Sequence, residues 1–77
     1  MAPESTDIQR RVGQRIKELR RASGESQEHF ANRIEMARTY FTEVENGKRN
    51  PSLNNLEKIA KGLGKSLKEF FDSDRFA

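Results

Sequence analysis

Residues 26–46 read SQEHFANRIEMARTYFTEVEN, and two short apolar sets within them decide the fold. Phe30, Ala31 and Ile34 recur at the 3.6-residue period of one helix, and Phe41 and Val44 at that of a second. Ser26 is a good N-cap for the first helix, and Gly47 is placed to terminate the second. Each helix is about two turns long, too short to persist without tertiary contacts. The pair must therefore be held from both sides, and Ala31 is small enough to let another helix approach.

The flanking sequence supplies those helices. Upstream, Ser5-Thr6-Asp7 offers N-cap types, Ile8, Val12, Ile16 and Leu19 share one face, and Gly24 offers a C-cap. Gly13 lies inside this stretch and costs about 1 kcal/mol relative to alanine. Downstream, Pro51 forbids helix continuation and biases Asn50 toward extended geometry. Ser52 then opens a fourth helix with the apolar stripe Leu53, Leu56, Ile59, Ala60 and Leu63, which Gly64 ends. Ser66 opens a short fifth helix with Leu67, Phe70 and Phe71. The pattern predicts an all-α, compact five-helix bundle in one domain spanning residues 1–77, with frayed tails at 1–6 and 73–77.

Composition narrows the function classes. Seventy-seven residues without cysteine and with a single histidine, His29, leave no disulfide, no thiolate nucleophile and no metal site. No paired acid and base or phosphate-cradling glycine loop is present either, so the chain reads as a non-enzyme with no cofactor. No apolar run is long enough to span a membrane. The start, Met-Ala-Pro-Glu-Ser-Thr, lacks a signal-peptide pattern, which predicts a cytoplasmic protein. The net charge is +3, but its distribution says more. Residues 1–24 carry six Lys/Arg against three acids, residues 25–47 two against five, and residues 48–77 seven against four. An acidic middle between basic ends suggests that phosphate attraction and sequence reading belong to different segments.

Short helix, tight link, short helix and basic loop together form the outline of a helix-turn-helix over residues 26 to 46, in which the second helix enters the DNA major groove. Arg38, Thr39, Thr42 and Glu43 fall opposite the buried Phe41 and Val44, so they face outward where base edges would lie. Arg38 can donate two hydrogen bonds to guanine, Thr39 can pack its methyl on thymine, and Glu43 can accept from cytosine. Phosphate contacts are expected from Gln27 and the start of its helix, from Tyr40, and from Asn46, Lys48, Arg49 and Asn50 in the following loop.

These residues resemble the Cro/repressor-type helix-turn-helix regulators, also called the xenobiotic-response-element family. The resemblance runs from about Val12 to Phe71. It rests on Ile16-Lys17-Glu18-Leu19-Arg20, Ser26-Gln27-Glu28 with Phe30-Ala31, Glu45-Asn46-Gly47-Lys48-Arg49 with Pro51-Ser52, and Leu56-Glu57-Lys58-Ile59-Ala60. It implies the phage-repressor DNA-binding-domain fold, bacterial or phage origin, and double-stranded DNA as partner. It also implies an ion pair between Arg20 and Glu45 that ties the first helix to the third, and a phosphate contact from Gln27. Arg38-Thr39-Tyr40 with Glu45 and Arg49-Asn50 further resembles the controller proteins of restriction-modification systems, which are short dimers. The sequence departs from the family at Glu35, where the turn commonly has glycine or asparagine, and at Ala37, where serine or threonine commonly caps the third helix. Each departure costs about 1 kcal/mol.

A homodimer through the fourth and fifth helices, with Leu67 and Phe70 or Phe71 in the contact, would set two reading helices about one DNA turn apart on a near-palindromic operator. With the chain used up by the DNA-binding domain, no small-molecule ligand is expected. Two rival readings are a protein-interaction module such as an antitoxin, and a non-specific packaging protein. The acidic middle segment and modest charge speak against the second.

Overall fold

A computed structural model describes residues 6–77 and contains five α-helices and a closing 3-10 turn. The helices are α1 (Asp7–Ser23), α2 (Gln27–Arg33), α3 (Arg38–Glu45), α4 (Leu53–Gly62) and α5 (Leu67–Phe71). Side-chain caps start four of them. Thr6 and Ser66 form capping boxes with Gln9 and Glu69, while Ser26 and Ser52 accept from the amides of His29 and Asn55. Only α3 begins without a side-chain cap, at Ala37, as its sequence requires.

Helices α2, α3 and α4 end alike. In each, the amide two residues past the cap returns to a carbonyl five residues back: Met36 to Ala31, Lys48 to Glu43, and Lys65 to Ala60. The residue at the bend must be left-handed. Gly47 serves α3 with φ 76°, while at the end of α2 the position is held by Glu35 with φ 58°. This is the strained turn between the two short helices that the sequence implies.

Phe30, Phe41, Ile16, Val44, Ile59 and Phe70 are the largest wholly enclosed side chains, and the Phe30 and Phe41 rings meet at 5.1 Å. Helices α1 and α3 cross closely over this core at Gly13. A Cβ there would collide with the Glu45 carbonyl oxygen and lie 2.8 Å from that of Val44. Read from propensity alone Gly13 weakens α1; packed against α3 it is what permits the crossing.

The structure corrects three sequence expectations. Ile8 and Leu53 belong to apolar stripes by spacing, yet they are 52% and 83% exposed, because the first turns of α1 and α4 project past the core. Phe70, expected as a possible partner contact, is completely enclosed, so it closes this chain's own core and is not available to another. The expected frayed tail at residues 73–77 instead contains a 3-10 turn, Asp74–Phe76. Phe76 packs 4.8 Å from Phe71 and 6.3 Å from Phe70, and Arg75 bonds to Glu18 and Gln14 of α1. Arg15 of α1 secures the same corner by donating to the carbonyls of Phe70 and Glu69 at 2.7 and 3.0 Å. At the other end, residues 1–5 of the expected tail lie outside the described residues, and Thr6 is the α1 cap.

Candidate nucleic-acid interface

Helix α3 is fixed from behind and open in front. Behind it, Arg20 Nε and Nη2 donate to the two carboxylate oxygens of Glu45 at 2.7 and 3.1 Å, as the family resemblance implies. Arg20 Nη1 donates to the Glu25 carbonyl, 2.7 Å away, and both members of the pair are buried. Among the described residues no buried side-chain nitrogen or oxygen lacks a partner. A buried pair of this kind adds little net stability, because desolvation offsets the Coulomb gain, but losing one partner is costly. Its effect is to hold the end of α3 at a fixed position on α1.

The pair also reaches the surface. Gln27 Nε2 donates to Glu45 Oε1 at 2.6 Å, and the Thr42 hydroxyl donates to Gln27 Oε1 at 3.4 Å. Sequence reasoning placed Gln27 at the phosphates without this tie. The chain Arg20, Glu45, Gln27, Thr42 thus runs from the core to the outer face of α3, setting the start of α2 against α3.

In front, Gln27, Arg38, Thr39, Thr42 and Glu43 line one open hollow of about 360 Å³. The structure therefore brings all four residues predicted to face base edges to one surface, with Gln27 beside them. Arg38 is exposed and lies 3.8 Å from Glu28 of α2, a partner the sequence did not suggest. Tyr40 is half-buried and packs against the core. Its hydroxyl accepts from Asn55 Nδ2 of α4 at 3.0 Å, which fixes the ring while leaving the hydroxyl proton to donate. Asn46, Lys48, Arg49 and Asn50 are all exposed along the loop after α3.

Arg49 does not extend away from the protein. Its Nε and Nη2 donate to Glu43 Oε1 at 3.0 and 2.7 Å, and its guanidinium carbon lies 5.2 Å from the centre of the Tyr40 ring. The reversal at Gly47 folds the loop back so that residues six apart meet. Elsewhere His29 is exposed beside Glu25, and Arg33 binds Glu25 and the Gly62 carbonyl, joining α2 to α4. The hydrogen bond from Arg33 holds the Glu25 carboxyl below its usual range.

An exposed helical edge held from behind by a buried ion pair, preceded by a second short helix and followed by a cationic loop, defines a helix-turn-helix protein. The chain belongs to the helix-turn-helix family, which it matches over residues 16–70. Within that family it is 53% identical over 66 residues to Control protein C.MunI from a Mycoplasma species, with 84% of this chain and 89% of that protein aligned. It is 39% identical over 69 residues to Control protein C.BamHI from Bacillus amyloliquefaciens, covering 88% and 85% respectively. The crystal structure of the restriction-modification controller protein C.AhdI from Aeromonas hydrophila shares the fold with a TM-score of 0.81 and 41% identity, over 86% of this chain and 100% of that one. The family is one of DNA-binding regulators, and among the described residues no helix is long and apolar enough to cross a membrane.

Proposed function

We propose that this protein is a sequence-specific transcription regulator that binds a near-palindromic DNA operator as a homodimer and controls a restriction-modification system from the bacterial cytoplasm, without catalytic activity of its own. The observation that carries this reading is the hollow on α3, where Arg38, Thr39, Thr42 and Glu43 present hydrogen-bonding groups on one edge of a helix, the element a major groove accepts. Lys48, Arg49 and Asn50 on one side, with Gln27 and Tyr40 nearer the core, are placed to meet the strands that border the groove. Kinship to two proteins named as control proteins supports the regulatory role.

The dimer contact now centres on Leu67 and Phe71, both 38% exposed, and extends to Ile8 and Leu53. Ile8, Leu53, Leu56 and Phe71 line a common apolar groove beside Asn50 and Pro51, next to the cationic loop. A two-fold dimer joined there would have to set its two α3 helices roughly 34–36 Å apart to meet successive major grooves.

The test is selection of bound duplexes from a random pool, followed by titration of the recovered site. The expected motif has two inverted half-sites with centres about 10 base pairs apart. Arg38→Ala should cost about 1–3 kcal/mol on that motif and relax one position in each half, whereas Lys48→Ala should weaken all duplexes alike and lower the salt slope by about one. Recovery of no enriched motif would overturn the reading.

A further inference from the structure

The free protein already contains an anion seated on Arg49. Glu43 Oε1 receives both Nε and Nη2 of that guanidinium, whose carbon lies 5.2 Å from the ring centre of Tyr40, itself held by Asn55. A carboxylate oxygen accepting two guanidinium donors offers Arg49 the charge that a phosphate oxygen would. Yet Glu43 also lines the hollow with Arg38, Thr39 and Thr42. On the DNA-binding reading, the carboxylate belongs to the hollow that would meet base edges and the guanidinium to the loop that would meet a strand.

We propose that Glu43 is an internal stand-in for a DNA phosphate, which withholds Arg49 from any duplex that does not offer Glu43 a base amino group, making the pair a specificity determinant. The inference rests on the DNA-binding reading given above and identifies how that site rejects wrong sequences. Where cytosine or adenine presents its exocyclic amine to Glu43, the carboxylate exchanges Arg49 for a base donor and Arg49 moves to a phosphate. Both groups remain satisfied. Where guanine O6 or thymine O4 stands there, releasing Arg49 would leave a carboxylate against an acceptor, so the pair stays closed and one phosphate contact is lost. Base identity and strand contact become one event.

The experiment compares salt-dependent binding to the selected site and to random duplex for the full chain and its variants. Wild type should show a salt slope steeper by about one on the selected site than on random duplex, because Arg49 releases counterions only there. Glu43→Gln cannot form the same charged pair, so its affinity for random duplex should rise about three- to tenfold with a slope steeper by about 0.9. Arg49→Ala should flatten the slope on the selected site by more than it flattens that on random duplex. Arg49→Lys, which keeps the charge but loses the paired donors, should raise random binding as Glu43→Gln does.

In the Arg49→Ala background, adding Glu43→Gln should no longer change the slope. If the gain on random duplex persists there, Glu43 acts only by general repulsion and the proposal is overturned. It is equally overturned if Glu43→Gln leaves random binding and slope unaltered. Absence of any preferred duplex for wild type would instead remove the underlying DNA reading, a distinguishable result.

Discussion

Replacing Gly13 with alanine sets helix propensity against packing, and the two predict opposite signs. Propensity favours alanine by about 1 kcal/mol in a helix interior. The added methyl, however, would stand 2.8 Å from the Val44 carbonyl oxygen and 2.9 Å from the Glu45 carbonyl carbon, all rigid backbone of α3. Comfortable contact needs about 3.5 Å or more, so α1 and α3 must part by about 1 Å at their crossing. Overpacking of this kind costs about 1–3 kcal/mol. The same separation stretches the Arg20–Glu45 bonds, now 2.7 and 3.1 Å, past hydrogen-bond range, and partial loss of that buried pair adds about 1–2 kcal/mol.

The net effect is destabilisation by about 1–4 kcal/mol, a large part of the roughly 4–12 kcal/mol such a domain possesses. Thermal melting followed by circular dichroism should show Tm lower by about 4–30 °C. Weakened DNA binding should accompany it, since α3 is displaced. A variant that melts at or above the wild-type temperature would refute the packing argument, for propensity would then have decided the outcome.

Arg20→Met leaves the Glu45 carboxylate buried without its cation and should cost about 3–5 kcal/mol by denaturant titration, most of which Arg20→Met with Glu45→Leu restores; equal stability of the single variant would contradict the pairing. Leu53→Lys, at an 83% exposed position, should change stability by no more than about 0.5 kcal/mol yet shift sedimentation toward monomer at tens of micromolar, and an unchanged sedimentation profile would exclude Leu53 from the contact. Acid sensitivity follows from Glu25 and Glu18, whose carboxyls are held low by hydrogen bonds from Arg33 and from Arg75. Because the folded state lowers these values, their stabilisation is present above the ordinary carboxyl value of about 4.3 and disappears as pH falls through the lower folded one. Tm should hold from pH 7 to about 5 and drop below about 4, with Glu25→Gln removing part of the drop; a variant that follows wild type throughout would show that Glu25 has no part in it.

The sequence made the helices legible through local signals: a capping serine or threonine before α1, α2, α4 and α5, a 3.6-residue apolar stripe, and a terminating glycine after α1, α3 and α4. Arg20 and Glu45 were legible only through family resemblance, since nothing local links residues 25 apart. Long-range geometry escaped the reading. Gly13 looks like a weak point until the backbone of α3 is laid across it, and Phe70 is indistinguishable from Phe71 until the 3-10 turn returns to α1. Ile8 and Leu53 obey their helices' periodicity, but periodicity does not say how far along a helix the core extends. At the interface, residue types and spacing located the exposed edge of α3. They could not show that Gln27 is tied to Glu45, or that the loop reverses and sets Arg49 on Glu43.

Glu35 and Ala37 leave the turn before α3 unoptimised, with a left-handed non-glycine at one position and an uncapped helix start two residues later. Glycine and serine at these sites would recover about 1 kcal/mol each. Both costs fall at the leading end of α3, whereas its trailing end is fixed to α1 through Glu45 and Arg20, so stabilising substitutions in this turn would leave that anchor untouched.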